Sequence, residues 1–474
     1  MDFHGRTEEL REMREALSRQ GYRGIMVYGR RHVGKSRLIG EAVKNMPGLV
    51  IYCQCVKSGD KENIASLYRA YQEASGDDLL VEFPSLDALL SYIVSRQKEQ
   101  VTIVLDEYPY WRAGSEKGEK GLDSILQKGI DRILAPAGAK LILSGSYLSV
   151  MDEIRKESGP LGGRCKTQIY LQPMDYYDAS LFYPNYSPKD KMAAYAAFGG
   201  LPYVLQSIDP MESVTKNIEK LYFDPAGELR KLVPLLVEEE IGKSDALHMI
   251  FDFLANTEKR PSLRDVCDKF QSRFSDEWVR VNLVKLESMK IVKRIAPIGS
   301  RTKDKNTYYS ISDNAFSFYY RYVQPSETAI LLGSGKAAYA KRSTQIDSNH
   351  VPSILEDASR EFLIRMNMKG LIDPPIEDLG TYFYNLGGNS NGQFDLVTKD
   401  AKGYVFYECK FRALERKDLV EEQSQVKAMP KFAIRPYKLA FIGCEKGELR
   451  DSDEATVYSL DDFFRPHLGS DESE

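Results

Sequence analysis

The chain has few cysteines, no long apolar run and little net charge, and each absence excludes something. Its six cysteines (Cys53, Cys55, Cys165, Cys267, Cys409 and Cys444) are scattered without the paired spacing of a zinc site. Cys53 and Cys55 lie two apart on an expected strand, hence on one face, which matches no metal motif. Free thiols in a reducing, cytoplasmic setting are the expectation. No apolar stretch reaches membrane-spanning length, and Met1-Asp2-Phe3-His4 lacks the basic-then-apolar start of a secretory signal. No membrane partner is expected. A formal net charge of −4 gives no global attraction to nucleic acid, so any such contact must come from local basic patches. A chain of 474 residues is too long for one hydrophobic core and suggests about three domains.

The chain is organised around Gly29-Arg30-Arg31-His32-Val33-Gly34-Lys35-Ser36. An apolar run, Ile25–Tyr28, precedes it, and Ser36–Ile39 can continue as a helix. This is the strand, glycine-rich loop and helix start of a phosphate-binding P-loop. Glycines let the backbone curl so that N–H groups face phosphate oxygens, and the new helix adds its positive dipole end. Lys35 would reach the terminal phosphates, and the Ser36 hydroxyl would ligate Mg²⁺.

Further strands are expected at Leu49–Cys53, Val101–Leu105 and Lys140–Leu143, with helical patterns between. Val101–Leu105 runs into Asp106-Glu107, the Walker B pattern. Asp106 would hold Mg²⁺ through water, and Glu107 would polarise the attacking water. Ser144, at the end of the next strand, is a candidate γ-phosphate sensor. Alternating strands and helices predict an α/β fold with a parallel sheet and its ligand at the carboxyl ends of the strands. No guanine-reading motif follows, which favours ATP over GTP.

Taken together, Phe3-x-Gly5-Arg6-x-x-Glu9-Leu10, the P-loop, Asp106-Glu107, Ser144-Gly145-Ser146, Leu161-Gly162-Gly163-Arg164 and Gly199-Gly200-Leu201-Pro202 resemble the archaeal-type ATPases of the STAND class, AAA+-related P-loop switches. The resemblance implies that the Arg6 segment packs near the nucleotide base. It also implies that Arg164 sits near the phosphates, in its own subunit or a neighbour's, and that Pro202 contacts the nucleotide side of a helical lid. Read from the residues alone, Arg164 is an arginine after a flexible Gly-Gly, and Gly199–Pro202 a helix stop and turn.

The helical stretch 174–243 suits a lid. Beyond it, Leu247, Ile250, Phe251 and Leu254 share one helical face, and Ser262 caps a short helix bearing Leu263 and Val266. Ser275 opens a third helix with Val279, Leu283 and Leu286 inward. Strands at Ile291–Ile295 and Tyr308–Ile311 complete a winged-helix order. Arg280, Lys285 and the hairpin residues Arg301, Lys303 and Lys305 could meet DNA phosphates. Equally, such a module can serve as an interdomain element, since Glu277 and Glu287 dilute the charge of its third helix. The aromatic group Phe316–Tyr320 reads as core or interface.

After a stretch at 324–352 with little periodicity, read as a linker with a short helix, an amphipathic helix spans Ser353–Met368. Strands follow at Tyr382–Asn385, Phe394–Thr398 and Tyr404–Glu408, then a helix near Leu419–Met429 and a strand at Tyr437–Ile442. This order resembles the restriction-endonuclease-like core of PD-(D/E)xK nucleases, with Phe394-Asp395 in place of Pro-Asp. Alternation puts Glu408 and Lys410 on one face and Tyr407 and Cys409 on the other. Asp395 and Glu408 would hold Mg²⁺, Glu356 would reach in from the helix, and Lys410 would position water and steady phosphate charge.

The expected domains are therefore 1–173 (ATPase core), 174–243 (lid), 244–323 (winged helix), 324–352 (linker), 353–466 (nuclease-like) and 467–474 (acidic tail). The reading is an ATP-hydrolysing switch that regulates a DNA-directed, metal-dependent nuclease-like domain. Two alternatives stand beside it: a signalling or transcription regulator, and an interaction scaffold, each with a C-terminal domain that does not cleave. DNA, further copies of the chain or a protein partner are all compatible with it.

Overall fold

Five parallel strands form the centre of the first of two units in the computed structural model, residues 1–172 and 173–474. Residues 3–257, 260–300, 307–385, 391–431 and 433–469 are described. The hairpin residues Arg301, Lys303 and Lys305 and the acidic tail beyond Gly469 lie outside them. Among the described residues no helix is long and apolar enough to cross a membrane.

In the first unit the strands are β1 (Arg23–Gly29), β2 (Leu49–Gln54), β3 (Val101–Asp106), β4 (Lys140–Gly145) and β5 (Thr167–Leu171), in the order β2-β3-β4-β1-β5. β3 and β4 are buried at every position, as required of central parallel strands covered on both faces. The core gathers β-branched and aliphatic strand residues such as Ile51, Ile103 and Leu141 against helical Leu67, Leu89 and Trp111. The four expected strands are present. β5 was not expected; its short alternation Thr167-Gln168-Ile169-Tyr170-Leu171 becomes a strand only by pairing with β1.

The second unit contains three packed helices, Asp245–Asn256, Leu263–Phe270 and Asp276–Ser288, followed by the antiparallel pair β6 (Val292–Ile295) and β7 (Tyr308–Ile311). Ser262 caps the second helix reciprocally with Asp265, and Ser275 caps the third by accepting from the Trp278 amide at 3.2 Å. The long helix Val351–Met368 then precedes a mixed sheet of β8 (Asp378–Asn385), β9 (Asn391–Asp400), β10 (Gly403–Ala413), β11 (Pro436–Glu445) and β12 (Ala455–Ser459), in the order β12-β11-β10-β9-β8. β8, β9 and β10 are antiparallel, whereas β10, β11 and β12 run parallel, with the Arg416–Ala428 helix between β10 and β11.

Two expectations about organisation are corrected. Residues 324–352 are not a linker: helices Glu327–Leu331 and Gly335–Gln345 continue through a helical turn into Val351–Met368. Ile330, Tyr339, Ile346 and His350 supply the apolar surface that docks them. Nor do residues 174–466 separate into independent bodies, because ionic and backbone contacts tie them together. Arg365 on the long helix bonds Asp175 and Asp178 at 2.6 and 2.9 Å, and the Tyr195 hydroxyl donates to Glu361 at 3.0 Å. The segment after β6 joins the edge of the C-terminal sheet: the Ile298 amide donates to the Thr381 carbonyl at 2.8 Å, and Pro297 bridges Thr381.

His350 lies at the centre of this packing. Its ring sits edge-on to Phe318 and Tyr322, and Nε2 donates to the Ala196 carbonyl at 2.9 Å. Burial pushes its pKa down from 6.5 to about 4. The unfolded chain therefore binds a proton that the folded chain refuses, and stability is lost as pH falls through that window. Between pH 7 and 5 the loss from this group is about 2 kcal/mol. Glu361, held up at about 8 by burial and Asp175, carries the opposite dependence, so the comparison must be between variants. In urea unfolding, the stability gap between wild type and His350→Gln should shrink by about that amount from pH 7 to 5; a constant gap would contradict it.

Candidate functional site

The P-loop leaves β1 at Gly29, where a Cβ would come within 2.2 Å of the Leu171 carbonyl, so only glycine fits against β5. Gly34 takes φ 95° immediately before the Lys35–Val43 helix, a conformation natural to glycine, while His32 takes φ 62°. Between them the backbone of Arg30, Arg31, His32 and Val33 curls around Lys35. The Lys35 ammonium donates to the carbonyls of Gly29 at 3.2 Å and Arg30 at 3.1 Å and lies 3.7 Å from Glu107.

Asp106 is the hub. One carboxylate oxygen accepts from Ser36 Oγ and from the Tyr52 hydroxyl, each at 2.7 Å, and the other accepts from Ser144 Oγ. Strand order explains this: β4 lies between the P-loop strand and the Asp106 strand, so a serine on β4 can reach the carboxylate. Ser144 Oγ also accepts from the Glu107 amide at 3.1 Å. Glu107 itself takes φ 54°, and its carboxylate accepts from the Ser146 amide and hydroxyl at 3.0 and 2.8 Å. Arg31 donates to the hydroxyls of Tyr110 and Tyr147 at 3.0 and 2.9 Å.

Arg6, at φ 60°, lies beside this loop. Its guanidinium donates to the carbonyl of Val33 at 3.2 Å and to that of Gln172. Arg164 stands apart from the phosphate loop of its own chain. Its guanidinium pairs with Asp131 at 2.7 Å, and its backbone carbonyl lies against Gly24 at the start of β1, the end away from the loop. The Asp131 carboxylate supplies the partner that the flexible Gly-Gly left unspecified. Pro202 belongs to the second unit, where it opens the short helix Pro202–Leu205. Tyr52 and Ser146 went unassigned from the sequence. Tyr52 alternates with buried Cys53, which placed it off the core face, but nothing local named Asp106 as its partner.

The second unit brings Asp395, Glu408 and Lys410 together on β9 and β10. The Cys409 amide donates to Asp395 at 3.0 Å, Lys410 pairs with Glu408, and the Cys409 and Tyr407 side chains contact Ser359 and Thr398 instead. Burial, reinforced by Asp395, pushes the Glu408 carboxyl up to about 8. Burial likewise lifts Glu356 to about 8 against the pull of Arg260, which bonds it at 2.9 Å. Glu422, on the helix after β10, is raised by burial to about 7 against the pull of Lys410. The motif did not include it, because it comes from a different element.

Among the described residues, no group of three or more His, Cys, Asp or Glu side chains is disposed to hold a metal ion. Thus Glu356, Asp395 and Glu408 do not converge as ligands in this arrangement. Each is turned to its own donor: Arg260, the Cys409 amide and Lys410 respectively. Ser36 and Asp106 likewise bond each other directly.

Residues 3–208 match the model of an ATPase domain found predominantly in archaea, and residues 319–421 match that of archaeal and bacterial proteins of unknown function. The uncharacterized protein MJECL04 of Methanocaldococcus jannaschii is 24% identical over 474 residues, spanning 97% of this chain and all of that protein. Among solved structures, the Walker-type ATPase paby2304 of Pyrococcus abyssi is 19% identical, with 67% of this chain and 96% of that one covered at a TM-score of 0.49. The Aeropyrum pernix ORC2 protein is 11% identical, with 72% and 97% covered at 0.44. A STAND protein with a tetratricopeptide repeat sensor from Pyrococcus horikoshii is 16% identical, with 78% and 56% covered at 0.31. Residues 3–208 thus carry the P-loop and parallel sheet of the ATPase domain that they match.

Ser144→Ala would leave the Glu107 amide without a partner and remove one donor from a buried carboxylate. Stability should fall by about 1–3 kcal/mol in urea unfolding. ATP turnover should fall more than nucleotide affinity, and an unchanged turnover would remove Ser144 from the site.

Proposed function

We propose that this chain is an ATP-driven switch of the STAND kind that governs a DNA-directed, metal-dependent hydrolytic centre in its second unit. In the ATPase domain Lys35 and the loop amides would hold the phosphates, Ser36 and Asp106 would hold Mg²⁺, and Glu107 would orient the attacking water. Ser144 orders Asp106 and Glu107 together. The three helices and hairpin at 245–311 act as a winged helix, and the sheet that follows acts as a PD-(D/E)xK nuclease-like domain.

The observation that carries the reading is the pairing of Asp395, Glu408 and Lys410 on neighbouring strands. The donors are all carboxylate oxygens, and burial holds Asp395 and Glu408 above the usual carboxylate range. Carboxylate oxygens are hard donors of the kind Mg²⁺ takes, and those of Asp395, Glu408 and Glu356 would have to leave their present partners to converge on one ion. When bound, the cation would polarise the scissile phosphate and lower the pKa of water. Asp395, Glu408 and Glu356 would hold it, and Lys410 would orient the water and steady charge on the phosphate.

A second reading is favoured by one observation. The segment after β6 is bonded to the edge of β8, and Lys293 on β6 pairs with Asp357 on the long helix at 2.6 Å. This supports the module as an interdomain connector rather than a DNA reader. Arg280 and Lys285 are exposed on its third helix, where exposed Val281 and Val284 interrupt the positive face.

Plasmid DNA incubated with Mn²⁺ or Mg²⁺, with and without ATP, should be nicked by the wild type and not by Lys410→Ala. No cleavage under any nucleotide condition would sink the hydrolytic reading and leave the regulator or scaffold. Lys35→Ala should abolish ATP binding in equilibrium titration, and hydrolysis that survived it would overturn the P-loop assignment.

A further inference from the structure

Both ends of the phosphate loop are fixed against neighbouring residues at the end of β5. At the loop's entry, Gly29 pairs with Leu171, pressed so close that a Cβ would meet the Leu171 carbonyl. Near its exit, Val33 is tied to the next residue, Gln172, through a side chain. One nitrogen of the Arg6 guanidinium donates to the Val33 carbonyl at 3.2 Å and also to the Gln172 carbonyl. The other terminal nitrogen pairs with Glu9 at 3.1 Å. Arg6 is itself buried, and Val33 is wholly so.

The backbone of Arg6 is strained into this place. Gly5 and Arg6 both lie in the left-handed region, at φ 63° and 60°, and an arginine stays there only where its surroundings overdetermine it. The Arg6 carbonyl accepts the Leu10 amide at 2.9 Å and so opens the Thr7–Ser18 helix, which is anchored by buried Met13, Ala16 and Leu17. The clasp in turn controls a donor. The Val33 carbonyl and the Gly34 amide belong to one trans peptide unit and point in opposite directions. A carbonyl held by Arg6 therefore turns the Gly34 amide away from Arg6. Gly34, at φ 95°, stands directly before the Lys35–Val43 helix, where loop amides and the positive end of the helix dipole collect phosphate. A glycine there also lets its peptide flip at little steric cost, so the amide needs a lock.

We propose that Arg6 is a positioning residue of the phosphate loop. By clasping the carbonyls of Val33 and Gln172, it locks the Val33–Gly34 peptide so that the Gly34 amide serves the phosphates of ATP. This rests on the reading of Gly29–Ser36 as the phosphate loop, and it makes Arg6 act on the phosphate end of the ligand through the backbone rather than on the base. An amide fixed before binding is used alike in the ground state and the transition state. Its lock contributes to affinity and leaves the rate of the chemical step nearly untouched.

The test uses the full chain, with ATP, inorganic tripolyphosphate and adenosine each displacing a fluorescent ATP analogue, beside steady-state turnover. Arg6→Ala should weaken ATP and tripolyphosphate alike by about tenfold and leave adenosine unchanged. KM for ATP should rise by a similar factor while kcat stays within about twofold. Glu9→Gln, which removes the ionic partner but leaves both carbonyls clasped, should change these values much less. Arg6→Lys keeps the charge without a fork to span two carbonyls and should fall between. Wild-type affinity for tripolyphosphate in Arg6→Ala overturns the proposal, and so does a loss seen with adenosine but not with tripolyphosphate. A fall in kcat at constant KM overturns it too, as does an equal loss in Arg6→Ala and Glu9→Gln, which would mark a general disturbance of the first helix. If tripolyphosphate binding survives Lys35→Ala, the phosphate-loop reading itself falls, and this proposal with it. Should Arg6→Ala not fold, Arg6→Lys decides, and wild-type affinity for tripolyphosphate in that variant overturns the proposal.

Discussion

A carboxylate removed from water has to be given a donor, and where that donor comes from shapes both halves of this molecule. In the ATPase domain Asp106 is satisfied by three hydroxyls, from Ser36, Tyr52 and Ser144. Those donors belong to the P-loop helix and to β2 and β4, so the carboxylate fastens together the elements that frame the nucleotide site. Hydroxyls are neutral and can turn to accept, so Mg²⁺ can displace them without leaving a charge stranded.

In the second unit the half-buried acids are met by full positive charges instead. Arg365 holds Asp175 and Asp178, Lys410 holds Glu408, Arg260 holds Glu356, and Lys293 holds Asp357. All of these pairs but Lys410–Glu408 stitch segments far apart in sequence into one body. They also make the unit resistant to small adjustments, because exposing either partner alone costs more than the pair returns.

How much of this was legible in the sequence follows from the range of the interactions. The P-loop, Asp106-Glu107 and Glu408-Cys409-Lys410 were readable because their chemistry lies within a few residues and their strands are continuous or alternating. The helices opened by the Ser262 and Ser275 caps were readable for the same local reason. β5 and β12 were missed because each is a short strand defined by one neighbour. Residues 324–352 read as a linker because their buried residues, Ile330, Tyr339, Ile346 and His350, are spaced too widely to show a face. The pairing of Arg164 with Asp131 was not legible because the two lie thirty-three positions apart. Tyr52, Glu422 and Arg260 carry no motif at all; only folding sets them beside Asp106, Asp395 and Glu356.

The outer strand of a sheet presents a row of N–H and C=O groups to any chain that can pair with them. β8 is such a strand, long and followed by the aromatic run Tyr382-Phe383-Tyr384 within its own span. Pro297 and Ile298 occupy part of that row, and Tyr308 from β7 lies over Phe383 with ring centroids 4.5 Å apart. The hairpin therefore acts as a guard for the sheet, with proline at the first bridged position blocking extension of the ladder. Cut free of it, the C-terminal sheet would offer an apolar, hydrogen-bonding edge to its own copies.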